Sequence, residues 1–86
     1  MPIISTFFGI IVRMFFDDHN PPHFHAEYGG EDAQVDFDGR IIVGRISSTT
    51  ARRLIKNWAL LHRDELEANW KRAKQLKALS QIAPLE

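Results

Sequence analysis

The hydrophobic period of this chain changes once, and that change dictates the class of fold. Up to Ile46, apolar side chains alternate with a period of two. After Ser47-Ser48-Thr49-Thr50 they recur at helical spacing, as Ala51, Leu54, Ile55, Trp58, Leu61 and His62. Strands followed by helices are the α+β pattern. The expected architecture is an antiparallel four-stranded meander sheet followed by a two-helix hairpin packed on one face, in the order ββββαα. Phe8–Asp17 reads as the first strand, His23–Tyr28 as the second, Glu31–Phe37 as the third and Arg40–Ile46 as the fourth. Gly29-Gly30 and Asp38-Gly39 supply hairpin turns. The second and third strands should pair Phe24 with Val35 and Ala26 with Ala33 on the core face. His25 with Gln34 and His23 with Asp36 then fall on the opposite, open face.

The four Ser and Thr residues offer N-caps for a helix over Thr49–His62. A second apolar stripe at Leu66, Trp70, Ala73 and Leu76 nearly continues the first. One 31-residue helix would be ~46 Å long, too long for an 86-residue chain of roughly 30 Å diameter. The spacing therefore predicts a break near Asp64, whose position three residues before Glu67 suits a cap, and a second helix over Asp64–Leu79. Pro84 keeps the residues after Ser80 from being helical, so residues 81–86 are expected to form a flexible tail of a single domain, 1–86. Trp58 and Trp70 lie on the apolar stripe and are expected in the core.

One stretch departs from this regular pattern. Three of the four histidines fall between His19 and His25, around the Pro21-Pro22 corner. Two prolines fix φ and remove donors, so the corner cannot lie inside a helix or a central strand. From His23 onward the alternation places His23, His25 and Glu27 on one side and Phe24, Ala26 and Tyr28 on the other.

Composition narrows the chemistry. The chain has no cysteine, which excludes disulfides and thiolate metal sites and agrees with a cytoplasmic location. The apolar run Phe7–Val12 is too short to span a bilayer, so no membrane role is expected. Net charge is zero, but residues 1–46 carry three arginines against seven carboxylates, and residues 47–86 carry eight cations against four. A nucleic-acid partner would meet the second half, through Arg52, Arg53, Lys56, Lys71 and Arg72.

The segments MPIISTFFGIIVRMFFDDHNPPHFHAEYGG and LHRDELEANW resemble the bacterial domain-of-unknown-function family 4160, with similarity from Met1 to about Arg72. The resemblance implies a small bacterial protein, often encoded beside a second small protein and suggested to form toxin–antitoxin-like pairs. It implies no catalytic residues. Asp18, His19, Pro21, Pro22, His23 and His25 enter as family hallmarks.

Three functions are weighed on the residues themselves. No cofactor motif is present, but a divalent metal could be held by His23 and His25, ~6.7 Å apart at Cα on one face of a strand, with His19 and Asp36 completing an N/O set. Acid–base cleavage of RNA would use His23 and His25, with His19 beside them, as base and acid, although Glu27, Asp32, Asp36 and Asp38 make that side acidic and repel a polyanion. A binding module would use the basic helices for nucleic acid, or the sheet edges and the exposed Ile41 and Val43 for a protein partner or a second copy of the chain.

Overall fold

The computed structural model describes residues 2–86. Five strands, β1 (Ile3–Phe7), β2 (Ile10–Arg13), β3 (His23–Tyr28), β4 (Glu31–Asp36) and β5 (Ile41–Gly44), precede α1 (Thr49–Leu61) and α2 (Arg63–Lys74). The strands form one antiparallel sheet in the order β1-β2-β3-β4-β5. The α+β class and the meander are as expected, but the count of four strands is corrected to five. The predicted strand Phe8–Asp17 contains a reversal, because Phe8 and Gly9 both have positive φ, 49° and 78°. This is the backbone of a two-residue hairpin turn. Met14 onward has already left the sheet.

The β3–β4 register is the expected one, pairing Phe24 with Val35, Ala26 with Ala33, His25 with Gln34 and His23 with Asp36. Phe24, Ala26 and Val35 are fully buried and Ala33 nearly so. The helices cover this face: Trp58 meets Phe24 edge-on at 5.4 Å and Phe7 at 5.4 Å, and Trp70 meets Phe37 at 6.2 Å. β5 ends at Gly44 with φ 85°, where any Cβ would lie 2.5 Å from the Asp32 carbonyl oxygen. Only glycine lets the chain leave the sheet here.

Two helices form, as predicted. Ser48 Oγ accepts from Ala51 N–H (3.1 Å) to cap α1. The break falls at His62, within a residue of the predicted junction, and the N-cap of α2 is His62 and not Asp64. His62 caps both helices, and its Nδ1 lies 2.6 Å from Glu65 Oε1. α2 stops at Lys74, five residues earlier than predicted. Leu76 takes φ 57°, and Lys77 N–H donates to the Arg72 carbonyl at 2.8 Å, the hydrogen bond of a left-handed C-terminal cap. That position is usually glycine, and a leucine there carries no stop signal. Residues 81–86 are expected as a flexible tail, yet the chain from Ser80 returns across the molecule. Asn69 bonds both ends of Ser80, Ile82 is buried, and Trp58 Nε1 donates to the Ala83 carbonyl at 2.9 Å.

Candidate metal centre

Between β2 and β3 the chain turns at Phe16-Asp17 and passes over one end of the sheet. Asp17 has φ 50°, a conformation that Asp tolerates better than most residues. Its N–H donates to the Ala73 carbonyl at 3.1 Å, and Lys74 Nζ donates to the Asp18 carbonyl. The last turn of α2 therefore fixes where Asp18 sits. The Asn20–Pro21 peptide is cis, and the Pro21-Pro22 corner delivers the chain into β3 at His23.

His23 is where strand alternation misleads. Period two puts it on the open face, yet its side chain is fully buried, and this corrects the expectation. The turn Asp17–Pro22 folds over it, Trp70 of α2 packs 5.5 Å away, and the rings of His19 and His25 lie 5.3 and 5.1 Å away. His23 Nδ1 is 2.7 Å from the Pro21 carbonyl. A carbonyl only accepts, so Nδ1 carries the hydrogen and Nε2 is the nitrogen left over. Nε2 lies 3.0 Å from Asp18 Oδ2 but outside hydrogen-bonding alignment, so it is a buried nitrogen without a hydrogen-bond partner.

The same carboxylate oxygen is 3.0 Å from His25 Nε2, in hydrogen-bonding geometry. His25 is partly exposed, and the Phe15 ring stands perpendicular to its ring with centroids 4.2 Å apart. Asp18 Oδ1 accepts from His19 N–H at 2.9 Å. Burial pushes the Asp18 carboxyl upward, but the hydrogen bonds from His25 and from the His19 N–H outweigh it, and any positive charge held at His23 or His25 lowers it further. The group is held below the usual carboxylate range.

Asp18, His23 and His25 thus bring one ligand atom each to within 4.8 Å of one another. Two imidazole nitrogens and one carboxylate oxygen suit zinc, iron, manganese or nickel and not the all-oxygen preferences of calcium or magnesium. Metal–ligand bonds of ~2.1 Å put adjacent donors ~3.0 Å apart in an octahedron and ~3.4 Å apart in a tetrahedron. The observed 3.0 Å separations from Asp18 Oδ2 need little adjustment for either. The His23 Nδ1 bond to Pro21 is the outer-shell contact that metal-bound histidines usually make, since it fixes the tautomer and the ring.

The remaining predicted residues are not among these three donors. His19 is largely exposed, with Nδ1 2.9 Å from Asp18 Oδ1. Asp36 is engaged in the β4–β5 turn, where its Oδ1 accepts from Asp38 N–H and Arg40 N–H, both at 2.9 Å. Pro21 and Pro22 line a cleft of about 290 Å³ with Phe37, Trp70 and Lys71. Of the basic residues, Arg52 bonds the Ile46 and Ser47 carbonyls and Arg72 bonds Asn69 Oδ1, while Arg53, Lys56 and Lys71 are exposed. The sequence marks Asp18 only as a hallmark. The available signal is its position five residues before His23, across a corner that must fold back.

No curated protein and no solved structure matches the chain. One family does, that described as "Domain of unknown function (DUF4160)", over residues 9–71. The match spans the Asp18–His25 segment and both helices almost to the end of α2, and the chain therefore belongs to the DUF4160 family.

Proposed function

We propose that the protein binds one divalent transition-metal ion through Asp18 Oδ2, His23 Nε2 and His25 Nε2, the last releasing the proton that it donates to Asp18. The observation that carries this reading is the buried His23 Nε2. With Nδ1–H committed to Pro21, a neutral His23 turns a lone pair toward a carboxylate 3.0 Å away, and two such acceptors repel unless a cation lies between them. A metal ion supplies that cation and accepts from both. A proton on Nε2 is the competing occupant. RNA cleavage is a poorer reading because a base and an acid must both reach the substrate, and the His23 side chain is fully covered.

Nuclear magnetic resonance of the imidazole nitrogens decides between metal and proton. Titration of metal-stripped protein with Zn²⁺ is expected to shift Nε2 of His23 and His25 with saturation at one equivalent, and Asp18→Asn to weaken binding at least about tenfold. Imidazole resonances that do not move with Zn²⁺ would assign the site to an ordinary Asp–His ion pair.

The partner-binding role in a toxin–antitoxin-like pair, in the cytoplasm, is a separate proposal. It rests on the family resemblance and on the exposed Val43 of the edge strand β5; Ile41, expected beside it on the open face, packs against the core, and Ile42 is exposed in its place.

A further inference from the structure

The three donors of the proposed centre leave it unfinished. A tetrahedral ion needs a fourth ligand and an octahedral one needs three more. His23 is walled in by Trp70 and the corner, so the remaining position must open toward the exposed side of the cluster, where His25 and Asp18 retain some solvent contact. His19 stands on that side. Its ring centroid is 5.3 Å from that of His23, and its Nδ1 is 2.9 Å from Asp18 Oδ1, the carboxylate oxygen not shared by His23 and His25. Its main chain is fixed, because its N–H donates to Asp18 Oδ1 and the preceding carbonyl is held by Lys74. Its ring makes no hydrogen bond among the described residues, and 70% of its side-chain surface is open.

A fixed backbone carrying an exposed imidazole, in contact with Asp18 Oδ1 and beside an incomplete coordination sphere, is a tethered ligand. We propose, on the reading of Asp18, His23 and His25 as a metal centre, that His19 is its exchangeable fourth ligand. The ring reaches the ion by side-chain rotation. A tether of one residue keeps it at an effective concentration of order millimolar or above. The other three donors are held by the strand, the Pro21 carbonyl and α2, and stay in place when His19 leaves. The position it vacates takes a small anionic donor, so the centre is closed at rest and open to an exogenous ligand.

Co²⁺ replaces Zn²⁺ as the probe, because its visible absorption reports coordination number and donor type. In wild type, one Co²⁺ is expected to give a four-coordinate spectrum with three imidazole-derived or carboxylate donors and the His19 ring. His19→Ala, an exposed change that should leave thermal unfolding of the metal-free protein unaltered, is expected to weaken Co²⁺ binding about tenfold or more, since losing even an outer-shell partner typically costs 10–100-fold. Its spectrum should move toward a higher coordination number as water enters. Azide titrated into the two Co²⁺ forms should bind the variant more tightly than wild type, where it must displace the ring. Equal Co²⁺ affinity, an unchanged spectrum, or equal azide affinity in wild type and variant would overturn the role of His19 while leaving the centre intact. Failure of wild type to bind Co²⁺ or Zn²⁺ at all would overturn the centre and this role together.

Discussion

At the scale of single residues, His23 shows how a regular pattern and its exception coexist. The β3 alternation is readable in the sequence, and every β3–β4 pair agrees with it. What alternation does not carry is what lies above the open face, and here Asp17–Pro22 and Trp70 cover it. His23 is thus a buried group whose ring nitrogens have assigned surroundings. His23→Gln is expected to cost about 1–3 kcal/mol in urea unfolding of the metal-free protein, because a flexible amide cannot fill the ring's place beside Trp70 and gives up the Nδ1–H bond to the Pro21 carbonyl. The same change at the partly exposed His25 should cost less than about 1 kcal/mol. Equal losses would mean that burial is not what distinguishes the two rings. Asp18 is legible only as part of a motif, since its role depends on a fold-back that brings residues five and seven positions apart onto one point.

At the scale of elements, sequence patterns locate boundaries where glycine or hydroxyl residues mark them and miss those where they do not. Gly29-Gly30, Asp38-Gly39 and the Ser/Thr run before α1 all mark real turns or caps. The β1–β2 turn is half phenylalanine, so Phe8-Gly9 looks like strand interior. The α2 stop rests on a leucine at positive φ, and His62 ends α1 without any of the usual cap chemistry. A less visible junction ties the sheet to α1. Glu31 at the start of β4 accepts from Ser47 N–H at 2.7 Å and Ser47 Oγ at 2.8 Å. These bonds, in that order of weight, outweigh the opposing effect of burial and, with lesser help from Arg45 and Arg52, hold its carboxyl below the ordinary 4.5. A carboxyl depressed in the folded state contributes stability that is fully present above its unfolded value and is lost as pH falls through the folded one. The stability difference between wild type and Glu31→Gln should therefore be constant from pH 6 to 8 and shrink below about pH 4.5. A difference that stays flat to pH 3 would remove the junction as a source of stability.

At the scale of the whole molecule, the α+β class and the order of strands before helices are legible because each comes from local period. The placing of the corner against α2 is not, because it is a contact between segments some fifty residues apart with no periodic signature. That contact gives metal binding a global readout. The proposed ligands belong to the Asp17–Pro22 segment and to β3, and the same segment is tied to α2 by the Asp17 N–H bond to Ala73, by Lys74 on the Asp18 carbonyl and by Trp70 against His23. An ion at Asp18 and the two histidines would bind the native state and not the unfolded chain, which no longer holds these donors together. Free metal at one hundred times its dissociation constant then adds about 2.7 kcal/mol. For a chain of this size each kcal/mol raises Tm by about 4–8 °C, so an increase of roughly 10–20 °C is expected, reversed by a chelator and absent in Asp18→Asn. Backbone amide exchange should slow at Asp17 and in the last turn of α2 as well as in β3, because unfolding of either side must release the ion. Protection confined to β3, with the end of α2 exchanging as before, would show that the ion is held by the strand alone and that the corner does not couple sheet to helix.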